Sequence, residues 1–177
     1  MVTAEDAVSL YRRLSDQGIR IWLTGGWGVD ALLGEQSRPH KDLDAILLLD
    51  DMVRMGEILG QDGYGLKELW SENRWTVDKA GNTTATAYVL HDEEDREFDV
   101  HAICLDEHGD GIPAWEEAGG LVFRKEDLAE EGIIAGHIVK CISPEAQVQC
   151  HRGYELPEAH VHDLNLLREK FGVEVPT

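Results

Sequence analysis

Basic residues are scarce in this chain: 16 Lys and Arg stand against 35 Asp and Glu over 177 residues, a formal net charge of −19. A protein that grips a phosphate backbone needs a basic stripe to release counterions, and a uniformly acidic surface repels that backbone and an anionic membrane face alike. The balance therefore argues against nucleic-acid and membrane partners. Cysteine is nearly as sparse, with Cys104, Cys141 and Cys150 forming an odd set without C-x-x-C spacing. Such usage points away from a disulfide framework and towards a reducing cytoplasm, with the thiols as small core residues. No apolar run approaches the roughly 20 residues of a membrane span, and the first six residues lack the basic-then-apolar pattern of a secretory signal. With 42% hydrophobic residues in a chain of domain length, one compact core is expected, and the charge does not reflect disorder.

The acidity is concentrated. Residues 1–90 hold 14 acids and 9 bases, residues 91–131 hold 15 and 3, and residues 132–177 hold 6 and 4. The middle segment thus carries −12 of the −19, a distribution suited to steering a cationic small molecule.

Periodicity and punctuation predict the elements. Thr3 with Asp6 three residues on is a short capping box for a first helix that Gly18 stops. Ile19 to Thr24 alternates as a strand ending at Gly25-Gly26, and Trp27 to Leu33 fits a short helix closed by Gly34. Asp42 leads into an apolar strand through Leu49, followed by a helix from Asp50 to about Leu59. Strands are predicted at Tyr64 to Leu69, Trp75 to Asp78, Thr83 to Leu90 and Arg96 to Ile103, the last two as a hairpin. Residues 104–131 offer only the weak strand Leu121 to Phe123. A second hairpin surrounds Gly136. Ser143-Pro144 starts a helix running to about Arg152, and a last helix covers roughly Glu158 to Phe171. The pattern predicts an α+β catalytic domain over 1–142 with a helical segment over 143–177 packed on it.

Three features carry chemistry. Gly25 and Gly26 open a helix, which lets a phosphate approach bare amides at the positive end of the helix dipole, although a tight turn needs glycine too. Asp42 and Asp44 are two apart on a strand, so both carboxylates point to one face about 7 Å apart and call for a cation; magnesium is the natural choice. Asp99 sits mid-strand among apolar neighbours, on one face with Glu97 and His101, where an unpartnered carboxylate is unfavourable. If the two strands are neighbours, three carboxylates converge, two metal ions fit, and Asp99 is placed to take a proton from an attacking hydroxyl. Arg38, His40 and Lys41 lie just upstream and suit outer phosphates, Arg38 through its bidentate fork; Arg74 is a second candidate phosphate ligand. Glu97 and His101 are candidate substrate contacts, His101 equally readable as a strand-surface histidine. His160 and His162 are two apart in a helix and point to different faces, so joint metal ligation is not expected.

These residues resemble a known family. Gly25-Gly26, a spacer, Asp42-Leu43-Asp44 and a later strand aspartate are similar to the signature of nucleotidyltransferases with the DNA polymerase β catalytic fold. The stretch Trp22 to Asp44 resembles small lincosamide nucleotidyltransferases and, less closely, aminoglycoside 2″-nucleotidyltransferases. Phe98-Asp99-Val100-His101, Gly119 to Phe123, Cys141 to Gln147, His151 to Tyr154 and Asp163-Leu164 extend it over nearly the whole chain, which departs from the lincosamide relatives between Lys67 and Asp95. The resemblance implies a mixed sheet with helices on one side and a helical C-terminal part, and an antibiotic adenylyltransferase that moves a nucleoside monophosphate from ATP or another NTP to a drug hydroxyl. It implies Asp42, Asp44 and Asp99 as metal-binding and catalytic residues, Gly25, Gly26, Arg38 and His40 as nucleotide-binding, and a monomer or homodimer. Transfer to a protein substrate, and nucleotide binding without turnover, are the alternatives.

Overall fold

The computed structural model describes residues 1–116, 118–153 and 155–175. In chain order the elements are α1 (Ala4–Ser15), β1 (Ile21–Thr24), α2 (Gly25–Leu33), β2 (Asp42–Leu48), a 3-10 turn at Leu49–Asp51, α3 (Met52–Gln61), β3 (Gly65–Leu69), β4 (Trp75–Val77) and β5 (Thr83–Ala85). There follow β6 (Ala87–His91), β7 (Glu97–Leu105), β8 (Gly111–Pro113), β9 (Glu131–Ile134), β10 (His137–Lys140), α4 (Pro144–Cys150) and α5 (Glu158–Phe171). The mixed α+β architecture agrees with the sequence expectation.

The main sheet runs β1-β2-β7-β6-β3, with β8 paired to β7. Its parallel pair is β2 with β7, in a register that sets Asp42 beside Glu97 and Asp44 beside Asp99. Because side chains alternate across a strand, this pairing sends Leu43 and Ala45, with Phe98 and Val100, into the core on one face and the acids to the other. Thr24, the last residue of β1, lies opposite Asp44 on the other side of β2. The acidic ends of two strands and the start of α2 therefore meet at one edge of the sheet.

One apolar cluster joins α1, α2, α3 and α5 to the sheet through residues such as Leu14, Trp27, Met55, Phe98 and Leu167. On the opposite face Trp22, Ile46 and Ile103 are covered by Phe123, Leu128 and, from the first turn of α4, Ala146. Local signals explain most boundaries. Thr3 Oγ1 accepts from the Asp6 amide at 3.1 Å while Asp6 Oδ2 accepts from the Thr3 amide at 3.0 Å, closing the capping box of α1. Ser143 Oγ accepts from the Ala146 amide at 3.1 Å and Pro144 stands in the first turn, which starts α4.

Two local expectations change. The strand expected over Thr83 to Leu90 is two strands, broken at Thr86, because Asn73 Oδ1 captures the amides of Thr86 and Ala87 at 2.8 and 3.2 Å. Leu121 to Phe123 is not a strand: Phe123 alone bridges Gly111, and the chain reverses to make the unexpected β8 instead. Among the described residues no helix is long and apolar enough to cross a membrane.

Candidate active site

At the edge where β1, β2 and β7 meet α2 lies a cavity of about 810 Å³, lined by Gly25, Gly26, Asp42, Asp44 and Asp99 together with residues of α4, α5 and the loops after β3 and β8. The glycines are demanded by packing. Gly25 adopts φ +57°, and a Cβ there would overlap the Asp44 carboxylate; a Cβ on Gly26 would overlap the His40 imidazole. Their backbone is left open at the helix start, where the dipole is positive.

Asp44 is the most enclosed of the three acids. Burial raises its pKa well above the usual carboxylate range, and the charges of Asp42 and Asp99 push it the same way. Asp42 is raised too, by burial first and then by Asp99. The cations nearby face other partners: Arg38 is held by Asp163, and Lys41 Nζ lies 3.1 Å from Glu97 Oε2. Concentrated negative charge of this kind suits a divalent cation with oxygen ligands. Among the described residues no three His, Cys, Asp or Glu side chains make a ready metal cage. Magnesium bound through one or two carboxylates, with phosphate and water completing its shell, asks for less than a cage.

Asp99 is oriented by an indole: Trp70 Nε1 donates to its Oδ1 at 2.9 Å, and His101 Nδ1 lies 3.4 Å from the same oxygen. This leaves Oδ2 as the oxygen available to a substrate. His101 in turn has Nε2 3.3 Å from Glu72 Oε1 and meets the Trp115 ring edge-on, centroids 4.9 Å apart. Burial alone lowers the His101 pKa, but the hydrogen bonds and charges of Asp99 and Glu72 outweigh it and raise the value.

The upstream loop is clamped. Arg38 donates to Asp163 of α5 through Nε at 2.9 Å and Nη2 at 2.6 Å, a bidentate pair in which Asp163 is 1% exposed. His40 is buried against Trp27, its Nε2 paired with Asp30 Oδ2, and Asp30 also accepts from the amide and hydroxyl of Ser37. Arg38 and His40 both line the cavity beside Gly26.

Eight of the nine sequence-assigned site residues line this one cavity: Gly25, Gly26, Arg38, His40, Asp42, Asp44, Asp99 and His101. Glu97, the remaining substrate candidate, does not: although it shares a face with Asp99, it is buried and turned to Lys67 and Lys41, which hold its carboxyl below the usual range against the effect of burial. Arg74 is exposed and lies outside the cavity lining. Sequence reasoning missed Trp70, Glu72 and Trp115, which sit in loops without periodicity. It also gave no role to His151, His160 and Asp163; their one signal was the resemblance around His151 and Asp163. His151 Nδ1 lies 2.8 Å from the Gln147 carbonyl, and its ring meets that of His160 at 4.7 Å on the cavity wall. Tyr154, part of the same resemblance, lies outside the described residues.

Comparison with known proteins agrees with this geometry. A lincosamide resistance protein of Staphylococcus haemolyticus is 29% identical over 167 residues, covering 94% of this chain and 95% of that one. The lincomycin-bound lincosamide antibiotic adenylyltransferase LnuA superimposes with a TM-score of 0.77 at 29% identity, over 94% of this chain and 97% of that one. The ANT(2″)-Ia complex with adenylyl-2″-tobramycin shares the fold, with a TM-score of 0.71 at 19% identity over 96% and 89% of the two chains. The aminoglycoside-2″-adenylyltransferase family model matches residues 7–167, which include every carboxylate and glycine of the cavity. The strand-borne acids, the glycine-opened helix and the match over most of the chain agree: this nucleotidyltransferase belongs to the aminoglycoside-2″-adenylyltransferase family.

Proposed function

We propose that the protein transfers AMP from ATP to a hydroxyl of a lincosamide or aminoglycoside antibiotic, with magnesium and release of pyrophosphate. The observation that carries this reading is the convergence of Asp42, Asp44 and Asp99 beside the open start of α2. The acceptor oxygen forms a bond to the α-phosphorus, the bond from that phosphorus to the bridging oxygen of the pyrophosphate breaks, and Asp99 Oδ2 takes the hydroxyl proton. Trp70 fixes the carboxylate for that step by holding Oδ1.

Amides at Gly25 and Gly26 and the free N–H groups of Arg38 receive the phosphates. The guanidinium has five N–H groups, of which two go to Asp163 and one to the Pro39 carbonyl at 3.2 Å. Magnesium held by Asp42 and Asp44, with Asp99, would supply the charge neutralisation that lets a triphosphate sit against three acids. The C-terminal part, with α4 and α5, serves the catalytic part by placing His151 and His160 on the cavity wall and by holding Arg38 through Asp163.

Radiolabelled ATP incubated with magnesium and lincomycin, kanamycin or gentamicin tests the reading. A labelled drug is the expected product. Absence of label on all three, with active control enzymes in parallel, would reject it.

A further inference from the structure

The acceptor half of the cavity differs from the nucleotide half. Beside Asp99 and His101 its walls are the indoles of Trp70 and Trp115 and the side chains of Ile46, Leu121 and Phe123. Four described carboxylates line the whole cavity: Asp42, Asp44, Asp99 and Glu72. Metal binding and proton transfer engage the first three, so Glu72 is the one left for the acceptor. The acidic stretch 91–131 adds little here, since among its described acids only Asp99 reaches the cavity lining.

Glu72 is built into the rim. Its carbonyl accepts from the Glu116 amide at 2.9 Å, which ties the loop after β3 to the loop carrying Trp115. Its carboxylate makes two long contacts, Oε1 with His101 Nε2 at 3.3 Å and Oε2 with the Ser71 hydroxyl at 3.2 Å. A carboxylate offers about four lone-pair sites, so about two remain for a ligand. The group stays ionised: burial pushes its pKa up, but its own backbone amide and His101 pull it below the usual value.

We propose that Glu72 determines acceptor specificity by receiving a single ammonium group of an amphipathic, monocationic acceptor whose apolar body lies against Trp70, Trp115 and Leu121. The inference rests on the antibiotic-transferase reading above and narrows it. One ammonium gains a charge-assisted hydrogen bond at Glu72, and the indoles favour a cation and an apolar surface together. Each further ammonium of a polyamine would lose water against Leu121 and Phe123 without a counter-charge.

The test compares lincomycin, which has one amine, with tobramycin, which has several, as acceptors of label from ATP with magnesium. Wild-type enzyme is expected to show the higher kcat/KM for lincomycin. Glu72→Gln should raise the KM for lincomycin about tenfold or more, the loss expected for a hydrogen bond between charged groups, with kcat and the ATP KM nearly unchanged. Glu72→Asp should restore part of the loss. A fall in kcat at constant acceptor KM would mean that Glu72 merely holds His101, and would overturn the inference. So would unimpaired transfer by Glu72→Gln, or a wild-type preference for tobramycin; either leaves the antibiotic reading standing. Absence of label on both drugs with wild-type enzyme overturns the two together.

Discussion

The metal-binding role proposed for Asp44 opposes the stability of the fold. Its carboxylate is enclosed beside Asp42 and Asp99, so without a cation its charge works against folding. Asp44→Asn should therefore lose transfer by at least about a hundredfold and yet melt higher in metal-free buffer, by about 2–4 °C for each kcal/mol of repulsion removed. The sign can be checked against pH. A carboxyl whose pKa is raised by folding contributes stability fully present below the unfolded value and lost as pH rises through the folded one. The melting difference between Asp44→Asn and wild type should be near zero at about pH 3.5, widen as pH rises through the raised value, and then level off. A difference that stays flat across that range would contradict the burial assigned to Asp44. Trp70 sets a second residue-scale test. Trp70→Phe keeps the aromatic wall but removes the donor to Asp99 Oδ1, so kcat should fall about tenfold or more while the ATP KM stays within twofold. Stopped-flow or steady-state assays would read this directly. Unchanged kcat would show that Asp99 needs no such orientation.

The elements that were legible in the sequence are those with a local physical cause. The capping box at Thr3, the Ser143-Pro144 helix start and the two hairpins were read correctly because cap and turn chemistry act over a few residues. The Asp42 and Asp99 strands were legible too, since a charge on an apolar strand conflicts with its neighbours unless a site explains it. What escaped depends on distant partners. Thr86 breaks a strand because Asn73 reaches it from 13 residues away, and Glu97 leaves the site because Lys41 and Lys67 arrive from other elements. Trp70, Glu72 and Trp115 likewise become a site wall through tertiary contact alone. The strand-to-helix turn joins both kinds of reason: Gly25 was expected from its place in the chain, but its φ of +57° and its overlap with Asp44 come from packing. Gly25→Ala should cost about 1–2 kcal/mol from the left-handed backbone alone and also displace the Asp44 carboxylate. Calorimetric titration with magnesium and ATP should then show affinity lowered more than tenfold. Wild-type affinity in a folded Gly25→Ala protein would remove the turn from the nucleotide site.

At the scale of the molecule, the catalytic sheet and the C-terminal helices share one core, with Val148, Leu164 and Leu167 packed in the same cluster as Leu23 and Phe98. One polar link crosses from α5 into the side of the cavity proposed to receive the phosphates. Asp163, nearly inaccessible, fixes the Arg38 guanidinium through two hydrogen bonds, and Arg38 in turn stands over Gly26 at the start of α2. A lone arginine there would have rotamer freedom to lose each time a triphosphate bound, and the buried fork removes that cost in advance. Asp163→Asn keeps the volume and one acceptor oxygen but not the charge. The ATP KM should rise about tenfold, in line with a lost charge-assisted hydrogen bond, while the acceptor KM stays nearly constant, because Glu72 and Trp115 contact His101 and not Arg38 or Asp163. The thermal midpoint should fall as well, since a partly buried guanidinium is left short of a partner. The kinetic split separates the two effects: a lower midpoint with an unchanged ATP KM would make Asp163 a fastener of α5 and nothing more, whereas a raised ATP KM at temperatures well below the transition makes the C-terminal helix part of the nucleotide site.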